Sequence, residues 1–260
     1  MKARLAGPRQ WLQHLQRIAM LLLLCTVALQ IVFVARIALM AVLDPQSTTF
    51  QRSEAWRLLV EKQQIAWAQA WVNNDRIAVN LKRAVIASED AGFVDHGGVD
   101  WDAVDKAWGR NQKAAERVER RAAKQSAAQK PVQRPAIAKV VGGSTITQQL
   151  AKNLFLSGER TVLRKAQELL LTLTLEALLS KERILEIYLN NVEWGEGLFG
   201  AQAAARHYFQ VDAQQLGSDQ AARLAVMLPA PKRFEQRPGS AYVVSRAATI
   251  QARMGGVALP

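Results

Sequence analysis

Apolar positions divide the chain into one continuous run and a long series of periodic ones. From Ile18 to Leu43 nearly every residue is apolar, the exceptions being Cys25, Thr26, Gln30 and Arg36. The charge-free stretch Ile18–Ala35 reaches the ~18 residues that mark a membrane-span candidate. A cleaved signal peptide has an apolar core of only ~7–15 residues, so the run predicts a retained transmembrane helix. Beyond it, apolar residues recur every three to four positions, as on one face of a helix. The pattern predicts helices over 53–72 (Trp56, Leu59, Val60, Trp67, Trp71) and 75–88 (Ile77, Leu81, Val85, Ile86). Others are expected over 144–156, 161–179, 181–190, 197–209, 218–227 and 240–253. Alternating strand-type runs are absent, so the expected fold class is all-α. One region breaks the pattern: residues 106–139 are rich in Ala, Lys, Arg and Gln, and end in Pro131 and Pro135. They read as a solvated basic insertion of helix and loop.

Charge sharpens this division. The chain has 260 residues and a formal net charge of +12. Residues 1–17 hold Lys2, Arg4, Arg9 and Arg17 and no acid, while 106–139 hold ten Lys/Arg against Glu116 and Glu119. The remainder is balanced, so no basic surface coats the domain and no nucleic-acid partner is expected. The insertion's charge suits anionic lipid headgroups or an acidic polymer. By the positive-inside rule the tail 1–17 stays cytoplasmic, the span covers 18–43, and 44–260 forms the domain on the other side. The span is expected to act as a tether that concentrates the domain on a membrane-bound substrate. A single cysteine, Cys25, excludes an intramolecular disulfide framework and a Cys-rich zinc site.

Four segments carry candidate chemistry. Gly195-x-Gly197-x-x-Gly200 matches a dinucleotide fingerprint by spacing, but a helical pattern precedes it where a strand is required, which excludes that reading. Ser88-Glu89-Asp90 closes the helix 75–88 with a carboxylate pair beside Phe93, and a carboxylate desolvated there would suit a general base. The alternative is solvated helix-end charges with His96 as an ordinary loop histidine; Asp95, His96 and Asp100 lack diagnostic metal-ligand spacing. Next, Gly142-Gly143-Ser144-Thr145 opens a helix whose Thr145-x-x-Gln148 resembles a capping box. Free amides there would attract an anion, and Ser144, Gln148 and Lys152 share one face. Then Arg164 and Lys165 lie four and three residues before Glu168, forming either an ion-pair cluster or a carboxylate held among cations. Finally, Glu186 and Asn190 share a face of the helix 181–190.

Taken together and in order, these segments resemble the signature of the peptidoglycan glycosyltransferases. The first motif reads Glu89-Asp90-x-x-Phe93-x-x-His96-x-Gly98, the second Gly142-Gly143-Ser144-Thr145-Ile146-Thr147-Gln148-Gln149-x-x-Lys152-Asn153. Arg164-Lys165-x-x-Glu168 is similar to the third, Lys181-x-x-Ile184-Leu185-Glu186-x-Tyr188-Leu189-Asn190 to the fourth, and Gly200-Ala-x-x-Ala-Ala-x-x-Tyr208-Phe209 to a fifth. The resemblance covers about 75–230; the long basic stretch between the first two motifs departs from it.

That resemblance implies a two-lobed, lysozyme-like all-α domain behind an N-terminal transmembrane helix. It implies polymerisation of lipid II into β-1,4-linked glycan with inversion and release of undecaprenyl diphosphate. Glu89 would be the base on the acceptor hydroxyl, and Glu168 would assist at the donor diphosphate with a divalent cation, Mg or Mn. Ser144, Thr145, Gln148, Gln149, Lys152, Asn153, Arg164 and Lys165 would bind donor phosphates and sugar. Asp90, Phe93, His96, Glu186 and Asn190 would support the motifs; no organic cofactor is expected. Implied partners are lipid II, the lipid-linked glycan strand, the membrane, and other cell wall synthesis and division proteins. The implied location is the inner membrane with a periplasmic catalytic domain. No serine has a lysine three residues on and Lys-Thr-Gly is absent, so no transpeptidase module is expected. A lysozyme-like lytic enzyme and a non-enzymatic membrane adaptor are the rival classes.

Overall fold

The computed structural model describes residues 8–127, 143–159 and 161–260. The apolar run forms α1 (Pro8–Leu39), with side chains exposed over most of its length as a lipid-facing helix requires. Its Trp11–Leu39 segment spans 29 residues, about 43 Å at ~1.5 Å per residue. A bilayer core is ~30 Å thick. The excess of about nine residues coincides with the stretch that docks on the domain. There Gln30, Phe33, Ile37 and Met40 form a 3-4-3 stripe, and Ile37 and Met40 are buried. Phe33 meets Phe155 edge to face, and the Arg36 guanidinium lies over the same ring. Arg183 holds the helix exit, donating to Met40 O (2.8 Å), Leu43 O (3.1 Å) and Asp44 Oδ1 (2.8 Å). The helix therefore ends at Leu39 and not 43, and its last quarter is part of the domain rather than a free tether.

After α1, the expected helix 53–72 is shorter and shifted. α2 (Thr49–Lys62) starts at a Thr48–Gln51 capping box and stops at Gln63, whose φ of 53° reverses the chain. It also faces the other way from its apolar pattern: Gln51, Glu54 and Leu58 are buried, whereas Trp56, Leu59 and Val60 are exposed. Trp67 leaves the helix to stack on Phe199, with ring centroids 4.6 Å apart. It adjoins β1 (Ala68–Gln69), which pairs in parallel with β3 (Leu198–Phe199), itself antiparallel to β2 (Glu193–Gly195). This three-stranded sheet corrects the all-α expectation in detail only, because strands of two or three residues leave no alternation to read. It also accounts for the spaced glycines. A Cβ on Gly197 (φ 70°) would lie 2.0 Å from Ala66 O, and one on Gly200 (φ 83°) 2.7 Å from Asn190 O. Their role is close backbone approach, not nucleotide binding.

The remaining helices are α3 (Val79–Glu89), α4 (Trp101–Ala127), α5 (Ile146–Phe155), α6 (Val162–Leu178), α7 (Lys181–Asn191), α8 (Ala201–Phe209), α9 (Ser218–Met227), α10 (Pro231–Phe234) and α11 (Ala241–Met254). Of these, α5, α6, α7, α9 and α11 match their periodicity closely, α3 and α8 start four residues later than expected, and α4 and α10 were not expected as separate helices. Thr145, Thr161 and Ser180 cap α5, α6 and α7 through their side chains. Helices α3, α9 and α11 pack as one group; α5 packs on α2, α6 and α7, and α6 on α1. A continuous apolar core joins the two groups, with Leu81, Ile86, Phe93, Leu150, Leu154, Leu171 and Tyr188 fully buried. The basic stretch is corrected at its start: α4 begins at Trp101, and Ala107 is buried against the domain. Residues 128–139 of the expected insertion lie outside the described residues.

Candidate active site

The site is assembled at the start of α5, where the ends of α3 and α6 meet it. Asp90, which caps α3, is buried and turns one oxygen toward each neighbour. Its Oδ2 accepts from the Ile146 N–H (3.0 Å) and its Oδ1 pairs with His96 Nε2 (2.9 Å). Because His96 Nδ1 accepts from the Gly98 N–H (3.2 Å), the ring proton sits on Nε2 and is donated to Asp90. The Thr145 hydroxyl accepts from the Gln148 N–H (3.1 Å) and donates to Gly98 O (2.6 Å), while Gln148 Oε1 accepts from the Thr145 N–H (3.1 Å). Three amides at the α5 N-terminus, those of Thr145, Ile146 and Gln148, are therefore met by the protein's own groups, with Asp90 as the anion on Ile146. This narrows the expectation of free amides awaiting a ligand. Thr145, expected to bind substrate, has its hydroxyl buried and engaged.

Nearby groups extend this frame. Lys181 Nζ reaches His96 O (2.7 Å) and Glu176 Oε1 (2.9 Å) and lies over the Phe93 ring, while Thr147 Oγ1 donates to Glu176 (2.5 Å). Glu186 accepts from the Asn74 N–H (2.9 Å) and Arg183 (2.7 Å). Asn190 clamps Val72 through both its amide atoms, each at 2.9 Å. Asp90, Phe93, His96, Glu186 and Asn190 thus pack and hydrogen-bond within the fold around the site.

Two adjoining hollows remain open, sharing Ser144. One, about 370 Å³, is lined by Glu89, Gly92, Asp100, Arg110, Gly143 and Ser144. The other, about 470 Å³, contains Ser144, Gln148, Gln149, Lys152, Asn153, Arg164, Lys165 and Glu168. The i, i+4, i+8 face of α5 therefore does line one cleft, as its spacing requires.

In the first hollow Glu89 is the last residue of α3 and has no ion pair among the described residues. Gln149 Nε2 donates to its Oε2 (3.0 Å), and Tyr188 Oη in turn donates to Gln149 Oε1 (3.0 Å), fixing which way the amide points. Burial pushes the Glu89 carboxyl above its ordinary range; Gln149 and Ser88 oppose that, and Asp90 adds to it. Gln149 is thus a holder of Glu89 before it is a ligand.

In the second hollow the balance is reversed. Glu168 is buried, with Oε2 on Arg164 Nη1 (2.9 Å) and Oε1 on Lys165 Nζ. Lys152 lines the same cleft and has no ion pair among the described residues. The protein packed around it holds its amine below its ordinary range; Glu168 opposes that, and Arg164 and Lys165 add to it. An anion entering here would favour its charged form. A resident divalent cation does not fit this donor set. Both Glu168 oxygens face cations, Asp100 Oδ1 caps α4 through the Ala103 N–H (2.8 Å), and no cluster of three His, Cys, Asp or Glu occurs among the described residues.

Three residues here had no site role in the sequence reading. Tyr188, quoted only as part of the fourth motif, carries no local signal of its tie to Gln149, thirty-nine positions away. Arg110 was assigned to the insertion, yet lines the Glu89 hollow. Glu193 lines the cation-rich cleft and sat unremarked two residues before the glycine-spaced segment.

Comparison with known proteins agrees with this geometry. The family model described as Transglycosylase matches residues 58–255. A biosynthetic peptidoglycan transglycosylase of Paraburkholderia phytofirmans is 46% identical over 254 residues, covering 98% of this chain and 95% of its own. Proteins of the same description from Burkholderia orbicola (49% over 233 residues; 90% and 86%) and Burkholderia multivorans (45% over 259 residues; 100% and 96%) are similarly close.

Proposed function

This chain belongs to the transglycosylase family, and we propose that its two hollows divide one glycosyl transfer between them. It is a peptidoglycan glycosyltransferase of cell wall synthesis. The reaction joins the reducing end of a lipid-linked glycan to the 4-hydroxyl of an incoming lipid II. The observation that carries this reading is the contrast across Ser144: on one side a desolvated carboxylate with no ion pair among the described residues, and on the other a cation cluster that includes Lys152, a lysine with none.

Glu89 takes the proton of the acceptor hydroxyl as its oxygen attacks the anomeric carbon. The bond to the donor diphosphate breaks, and both of its electrons leave with undecaprenyl diphosphate. Lys152, Arg164 and Lys165 stabilise the charge that gathers there. An α-linked donor becomes a β-1,4 bond by inversion, which needs one base and an activated leaving group. No step is routed through a metal ion. A lytic enzyme has no diphosphate to hold and is disfavoured by the cation cluster.

The span supports a setting in the inner membrane. Lys2, Arg4, Arg9 and Arg17 keep the N-terminus cytoplasmic, placing the domain in the periplasm. On α6, Val162, Leu163, Leu170 and Leu173 are exposed beside α1, which suits contact with lipid and with the donor's polyprenyl chain. The test is incubation of the purified full-length protein with labelled lipid II in detergent. Long glycan made without pre-existing wall is expected; cleavage of preformed glycan with no polymer would overturn the reading.

A further inference from the structure

Glu193 opens β2 and lines the cation-rich cleft together with Phe50, Val192, Leu228 and Pro231, the wall that carries few charges. Its side chain is more than nine-tenths buried, and its Oε1 has no hydrogen-bond partner among the described residues. The nearest cation, Lys232 Nζ, is 3.5 Å away and already donates to Glu54 Oε2 at 2.5 Å, an oxygen that Arg57 also holds. A buried carboxyl with one oxygen lacking a hydrogen bond, and a single shared cation 3.5 Å from it, is costly in a binding cleft unless a ligand completes its bonding.

We propose that Glu193 is a substrate-binding residue of the donor cleft, whose carboxyl exchanges hydrogen bonds with a hydroxyl or acetamido group of the sugar adjoining the diphosphate. This rests on the glycosyltransferase reading and adds to it a sugar contact on the wall away from Lys152, Arg164 and Lys165. Those cations match the diphosphate, whereas a carboxyl would repel it in its charged form. The apolar neighbours Val192, Leu228 and Pro231 suit a sugar face. Burial pushes the Glu193 carboxyl up to about 7; Glu54 and Glu235 reinforce this and Lys232 opposes it. Glu168, Lys152, Arg164 and Lys165 are the other charged groups on the same cleft, with Glu159 at its rim. Near neutrality the acid form is therefore populated and can donate as well as accept.

Two variants of the full-length protein in detergent test this, with lipid II and sugar-free polyprenyl diphosphate as probes. Glu193→Leu should weaken lipid II binding about fivefold to tenfold, the loss of a hydrogen bond made in a dry site. Its binding of polyprenyl diphosphate should be unchanged. Glu193→Gln keeps the shape and both hydrogen-bonding roles but does not titrate. Wild-type affinity for lipid II should fall between pH 6 and 8, and the Gln variant should lose that dependence with a smaller rise in KM. The sign for folding is the same. A raised acid pKa stabilises below the unfolded value near 4.5 and is lost as pH rises to about 7. The Gln variant should therefore gain melting temperature over wild type across that window. Equal lipid II affinity in the Leu variant, or equal loss for both probes, would overturn the proposal. Failure of wild type to polymerise lipid II would instead overturn the glycosyltransferase reading, and the binding comparison would still decide Glu193.

Discussion

The Glu89 hollow and the Glu168 cleft use the same functional group in opposite electrostatic settings. Glu89 faces an amide and a serine hydroxyl and has no paired cation; Glu168 is buried between Arg164 and Lys165. Arg164 and Lys165 occupy both oxygens of Glu168, leaving neither placed to meet an acceptor's proton. A carboxylate that is desolvated and held by a single amide gains more from taking a proton. The difference assigns roles that residue type alone cannot: proton transfer belongs to Glu89, and Glu168 organises the cations that meet the leaving group.

The strongest way to break this contrast is Glu89→Gln. The amide retains the contact with Gln149 but cannot accept the acceptor's proton, so turnover should fall by ~10²–10⁴ while the fold and donor binding persist. Measured glycan synthesis near the wild-type rate in a folded variant would remove Glu89 as the base. In the wild type the same group sets the acid limb of the pH profile. Its base form is required, so kcat/KM should decline as pH falls through a value above the ordinary carboxylate range.

Lys152→Ala probes the other side. Loss of a charge-assisted contact is worth ~1.5–3 kcal/mol, or about tenfold to a hundredfold in donor use. No described ion pair is broken by it, so the melting temperature should hold. A defect confined to the acceptor would show that the diphosphate lies elsewhere.

A smaller effect should come from Tyr188→Phe, which removes only the hydroxyl that orients Gln149. With the amide less firmly directed at Glu89, the contact that lowers that pKa weakens. The acid limb should move to higher pH, with a few-fold loss at neutrality and little change in donor KM. An unmoved limb would separate Tyr188 from the base.

The parts of this architecture that were legible in the sequence are those decided within one or two helical turns. The capping pair Thr145–Gln148, the spacing that joins Arg164 and Lys165 to Glu168, and the extent of α9 all follow from local periodicity. Tertiary decisions were hidden. α2 buries Gln51 and Glu54 because Asn191 on α7 and Lys232 on α10 supply their partners, leaving Trp56 outside. Asp90 displaced the expected ligand from α5 through a contact spanning fifty-six residues. The docked end of α1 was equally hidden, since Phe33 and Ile37 look like any lipid-facing residues until α5 and α6 are in place.

That docking allows the mildest test, at a point where α1 is tied to the helix that carries Glu168. Gln30 on α1 and Gln167 on α6 exchange hydrogen bonds in both directions, at 2.9 and 3.1 Å. Gln167 immediately precedes Glu168, whereas Glu89 lies on α3, which packs against α9 and α11. Hydrogen bonds between membrane helices average ~0.6 kcal/mol, so Gln30→Leu should raise the lipid II KM about twofold to threefold. The effect should be larger in vesicles, where lipid bears on the helix pair, than in detergent. The acid limb set by Glu89 should stay in place. Gln30→Leu combined with Gln167→Leu removes both polar groups, and should lose less than the sum of the single changes if the two amides act as a pair. Additive losses, or a shifted acid limb with unchanged KM, would mean that the anchor does not bear selectively on the Glu168 side.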